Sequence, residues 1–121
     1  MSKRDDALYQ SHLREAKKAR KTGNLQEALN HYVSASLMRP TDMNVRREVA
    51  EAQLSLGYFH EAGVSYIAII GYSWDEGFYL RATAACKRLL EIMENETRKP
   101  GLSSAILTQV FKKPLNAPIQ P

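Results

Sequence analysis

Apolar residues recur at helical spacing along most of the chain. Leu8, Tyr9, His12, Ala16 and Ala19 share one thin face, with Leu13 to one side, and predict a first helix over about Ala7 to Thr22. Asp5 and Asp6 precede it and suit its positive dipole end. Lys17, Lys18, Arg20 and Lys21 crowd the other end, where cations are favoured. Leu25, Ala28, Leu29, Tyr32, Ala35 and Met38 mark a second helix to about Arg39, stopped by Pro40. Asp42 or Thr41 suits the cap of a third, about Met43 to Leu56, which carries Val45, Val49, Ala50 and Leu54 before Gly57 ends it. The fourth segment, about His60 to Ile70, is the most apolar, with Phe59, Ala62, Val64, Tyr66, Ile67, Ile69 and Ile70. Its β-branched run also reads as a strand; the register of an internal repeat decides for helix. Ser73-Trp-Asp-Glu76 has the capping-box pattern and predicts a fifth helix from Asp75 to about Glu96. Pro100-Gly101 is a break. Ser103 and Ser104 suit the cap of a short sixth helix over about 104–111, and a proline-containing tail follows.

The repeat lies in Gly23-Asn-Leu-Gln-Glu-Ala-Leu-Asn-His-Tyr32, whose frame returns 34 residues later as Gly57-Tyr-Phe-His-Glu-Ala-Gly-Val-Ser-Tyr66. Gly23 pairs with Gly57, Glu27 with Glu61, Ala28 with Ala62, Tyr32 with Tyr66 and, upstream, Ala16 with Ala50. A fixed period of this length is the signature of stacked repeats. Each shared residue has a physical task. The glycine takes the left-handed position that ends a helix, the alanine lets two helix backbones approach, and the tyrosine fills the layer behind them.

The period and the pattern G-x(4)-A-x(3)-Y-x(2)-A, closed in the first copy by Ala35 and Pro40, resemble the tetratricopeptide repeat (TPR) over roughly Leu8 to Trp74. In the second copy Ile69 replaces the later alanine and Trp74 the proline, while His12, Arg46 and Glu15 depart from the family's usual first-helix residues. The resemblance implies an all-α, helix-turn-helix repeat solenoid of two helical pairs, a long capping helix and a short C-terminal helix. The repeats are expected over about 9–42 and 43–76 and the capping helix over about 75–96, within one domain over 1–99. Residues 100–121 form the C-terminal segment. In such a stack the first helix of each pair lines a concave face. That face here gathers Leu13, Lys17, Arg20 and Lys21, then Arg47, Glu51 and Leu54, then Phe78, Arg81, Ala85 and Arg88. Six cations face one carboxylate, with apolar residues between, which suits an acidic peptide or amphipathic helix with apolar anchors. The TPR domains that grip the acidic tails of heat-shock chaperones carry Lys, Asn and Arg where Leu13, Lys17, Glu48, Phe78 and Ala82 stand here, so that specialisation is not expected.

Composition narrows the function classes. At 121 residues the chain supports one domain, and its net charge of +4 is a mild basic bias. The single cysteine, Cys86, has no partner for an internal disulfide and sits among alanines that suggest a buried small side chain in a reducing compartment. The segment after Met1 lacks the apolar core of a signal peptide, and no apolar run reaches the roughly 18–20 residues that span a bilayer. An intracellular, cytoplasmic or nuclear, protein is expected. His12, His31 and His60 show no metal-ligand spacing, and no glycine-rich phosphate loop is present, so neither catalysis nor a cofactor is expected. The expected role is a non-enzymatic adaptor or scaffold subunit that binds a protein partner, with self-association a further expectation. A secretion-type or assembly chaperone is the alternative. A nucleic-acid accessory is the competing class, disfavoured because Tyr32, Phe59 and Tyr66 fall at core positions. Ile106, Leu107, Val110 and Phe111 form one apolar edge of the sixth helix, expected to fold back on the domain or to dock elsewhere.

Overall fold

The computed structural model describes residues 2–96, which hold five α-helices and no strand. The expected sixth helix and proline-containing tail, with Ile106, Leu107, Val110 and Phe111, lie outside the described residues. The chain divides into two compact units, Met1–Tyr58 and Phe59–Pro121.

In the first unit α1 (Lys3–Lys21), α2 (Leu25–Met38) and α3 (Met43–Ser55) pack in sequence, α1 on α2 and α2 on α3. α1 begins a turn earlier than the sequence suggests. The Ser2 side chain caps it, accepting from the Asp5 amide at 3.1 Å, so Asp5 and Asp6 stand inside the first turn beside the positive dipole end. Asn24 and Asp42 cap α2 and α3. Ala16, Ala19, Ala28, Leu29, Tyr32 and Val49, drawn from all three helices, form one buried cluster; Tyr9, Ala35 and Val45 form another. Small residues at the helix crossings admit close approach, and Tyr32 supplies the bulk.

Asp42 does two jobs. Its carboxylate accepts from the Asn44 amide at 3.1 Å, and its other oxygen accepts from the Tyr9 hydroxyl at 2.9 Å. The Arg39 guanidinium lies 3.7 Å from the centre of the Tyr9 ring and bonds Asp6, tying the start of α1 to the α2–α3 turn. Burial, then Asp42, pushes the Tyr9 hydroxyl above the ordinary tyrosine pKa, so it stays a proton donor to this carboxylate. Asp42→Ala removes the cap and leaves a buried hydroxyl unpaired, an expected loss of about 2 kcal/mol, against about 1 for Asn24→Ala, by urea unfolding.

One turn recurs along the chain. Gly23, Gly57 and Gly77 adopt φ of 83°, 82° and 81°. At each, the glycine amide and the amide after it bond back into the helix: Gly23 to Arg20 and Asn24 to Ala19, Gly57 to Leu54 and Tyr58 to Gln53, Gly77 to Trp74 and Phe78 to Ser73. This is the Schellman arrangement, which requires a left-handed residue. A Cβ on Gly57 would meet nothing within 4 Å, so Gly57→Ala carries a backbone cost alone, expected at about 1–2 kcal/mol in thermal or urea unfolding.

The second unit is a helical hairpin, α4 (Phe59–Asp75) packed on α5 (Tyr79–Glu96). α4 outlasts its expected end near Ile70. Its buried positions, Ala62, Tyr66, Ile69 and Ser73, continue the helical stripe, and Ser73 is fully buried. Ser73 is therefore an interior residue of α4 and not the cap of the next helix, and α5 starts after Gly77. α5 buries Ala82, Ala85, Leu89 and Ile92. Cys86, expected to be buried, is exposed on α5, because it falls one residue off that stripe.

Candidate functional site

The first unit holds a cleft of about 300 Å³ lined by Arg20, Leu25, Ala28, Tyr32, Arg47, Glu48, Glu51, Ala52 and Ser55. Arg20 and Arg47, both expected on the basic face, meet here. Neither presents an isolated positive charge: Arg20 bonds Glu48 at 2.9 Å, and Arg47 lies 3.6 Å from its other oxygen. Two arginines and two glutamates leave the cleft close to neutral. An ion pair this exposed contributes at most about 1 kcal/mol to stability, so its main effect is on the local field. Lys17 and Lys21 stand exposed on α1, and Leu54 is half-buried on α3 outside the cleft lining. Leu13 packs against both buried clusters, which commits it to the core. The lining of the cleft includes Tyr32, whose buried hydroxyl has no hydrogen-bond partner among the described residues.

The turn between α4 and α5 gathers four exposed large apolar residues. Leu80 is 89% exposed, Trp74 62%, Tyr79 56% and Phe78 49%. The glycine turn fixes their directions. Trp74 and Tyr79 flank it and meet edge-to-face, ring centres 4.9 Å apart. The Arg81 guanidinium lies 5.3 Å from the centre of the Phe78 ring. Gly77, Phe78, Tyr79, Leu80 and Arg81 line an open hollow of about 510 Å³. Of the residues expected on the second unit, Phe78 and Arg81 belong to this patch, while Arg88 lies along α5 and bonds Glu91 at 3.1 Å. Ala85 is buried.

Compared with protein-family models, with curated proteins and with solved structures, the chain finds no match. The chemistry of the two surfaces is therefore read from their own residues. Among the described residues no helix is long and apolar enough to cross a membrane, and no group of three or more His, Cys, Asp or Glu is placed to hold a metal ion.

Trp74, Tyr79 and Leu80 were not legible as site residues in the sequence, because the capping-box reading of Ser73 placed a helix start where the chain turns. A signal was present. Gly77-Phe-Tyr79 repeats Gly57-Tyr-Phe59, a glycine followed by two aromatics at a helix end. Glu48 had no such signal, since its partner Arg20 is 28 residues away.

Proposed function

We propose that the chain is a non-enzymatic protein-interaction module built of TPR-like helical pairs. Its principal contact is the α4–α5 turn, which receives an apolar-anchored peptide or helix. The observation that carries this reading is the exposure of Trp74, Phe78, Tyr79 and Leu80 beside Arg81. Tryptophan, tyrosine and arginine are the residues that dominate binding energy at protein interfaces, and apolar side chains left in water gain most from being covered. Arg81, at the rim of the patch, suits a carboxylate on the partner and adds orientation more than affinity. The recurrence of the glycine turn and the five helices with no strand among the described residues support the repeat architecture. An adaptor or scaffold role in an intracellular setting follows from that reading.

Affinity purification of the full chain from its native extract tests it, with a Tyr79→Ser/Leu80→Glu variant run in parallel. A stoichiometric protein captured by the wild type and lost by the variant supports the module and its site. Capture that survives in the variant but is lost on charge reversal of Lys17, Lys21 and Arg47 moves the site to the first unit. Recovery of nucleic acid without protein overturns the proposal.

A further inference from the structure

α5 carries two stripes. Ala82, Ala85, Leu89 and Ile92 are buried, on the helix that packs against α4. One position on from the first three stand Thr83, Cys86 and Leu90, about 100° further round the helix. Tyr79, one turn before Thr83, continues the line. Tyr79 is 56% exposed and Leu90 59%, and Thr83 and Cys86 are exposed as well. The Thr83 hydroxyl donates to the Tyr79 carbonyl at 2.8 Å, so the one polar group of this stripe is already satisfied within α5. Arg81, Lys87, Arg88 and Glu91 lie on the remaining circumference. The last described helix therefore presents a narrow apolar face bounded by charge, and such a face gains from being covered.

We propose that the chain's own C-terminal segment covers it, with Ile106, Leu107, Val110 and Phe111 packed on Leu90 and Cys86. Reach, length and concentration select this occupant. α5 runs about 26 Å from Tyr79 to Glu96, and residues 97–105 extend to about 30 Å, so Ile106 can stand beside any point of the stripe. Pro100-Gly101 lets the chain reverse and run back along α5. The four apolar residues of the segment recur at helical spacing, and their edge of about 7–8 Å matches the roughly 6 Å from Leu90 to Cys86. A segment tethered by so short a linker stands at an effective concentration of about millimolar, well above a second copy or a partner at about micromolar levels. None of these contact residues is charged, so no ion loses its water when they meet. The turn patch around Trp74 and Leu80 lies outside this contact, so partner binding there and self-docking here stand separately.

Cys86 is the chain's single cysteine, and its thiol reports on its own cover. The test compares the rate of its reaction with DTNB in the full chain and in a full-length Leu107→Ser/Phe111→Ser variant. Serine brings no charge near the thiolate, and a cooperative thermal transition checks that both chains are folded. The wild type should react slower than the variant by about tenfold or more. Its protection should not change on dilution from about 100 to about 1 µM. Equal rates in the two folded chains overturn the proposal. Protection that fades on dilution overturns it too, and assigns the face to a second copy of the chain.

Discussion

Tyr32→Ala should lower the unfolding free energy by about 3–5 kcal/mol, the range for truncating a buried aromatic. Tyr32 is 1% exposed and sits among Ala16, Ala19, Ala28, Leu29 and Val49, so its ring fills the space that the alanines leave between three helices. None of those small neighbours has the reach to collapse into the vacated volume. In a unit of this size such a loss is a large share of total stability, and urea unfolding should show the first unit partly unfolded without denaturant. A loss below about 1 kcal/mol would mean that the ring is not packed in this way. Tyr32→Phe is the informative partner. It keeps the ring and removes a buried hydroxyl that has no partner among the described residues, so stability should hold or rise by about 1 kcal/mol. The same hydroxyl predicts a pH effect. Burial, then the Glu48 charge, raises its pKa above the ordinary value, with Arg20 opposing. The folded chain therefore holds this proton more tightly than the unfolded chain. Its contribution is complete below about pH 10 and is lost as pH rises through the folded value. Tyr32→Phe should remove that share of the alkaline loss and leave the share due to Tyr9.

Tyr79→Ser/Leu80→Glu should weaken the protein partner's binding by about 100-fold or more while leaving the melting temperature nearly unchanged. Truncating one central anchor at an interface often costs about 2 kcal/mol, and two adjacent anchors rarely compensate for one another. Both side chains are more than half exposed, so little core packing goes with them. Serine and glutamate suit the first turn of α5, where polar and acidic groups meet the positive dipole end. The contrast with Tyr32→Ala separates core from surface: one variant should be partly unfolded, the other folded but unable to bind. Unchanged affinity in the double variant would remove the α4–α5 turn as the site.

The helices and two of the three glycine turns were legible in the sequence because they depend on local chemistry. Gly23 and Gly57 stand where only a residue tolerant of φ near +80° ends a helix without strain. Stripes such as Leu25, Ala28, Leu29, Tyr32 and Ala35 need only the 3.6-residue period. At the α4–α5 boundary two local signals compete. Ser73 and Glu76 have capping-box spacing, yet burying Ser73 on the inner face of α4 continues a stripe that already includes Tyr66 and Ile69. The helix runs on to the next glycine, and four exposed apolar residues gather around that turn.

Other features were decided by the tertiary structure alone. Glu48 pairs with Arg20 across helices, so two of the six cations expected on the basic face sit in a nearly neutral cleft, while Lys17 and Lys21 stay exposed outside it. His12 and His31 lie 19 residues apart in sequence and meet only because α1 packs on α2. Cys86 looks buried among alanines and is exposed, since a rotation of one residue about α5 carries it off the stripe. The sequence by itself determined the five helices of the described residues to within a turn or so, and where the Gly23 and Gly57 turns fall, because those follow from contacts within a few residues. Only the folded chain decided which charges cancel, which imidazoles meet and which aromatics stay in water, because each depends on how separate helices are placed in space.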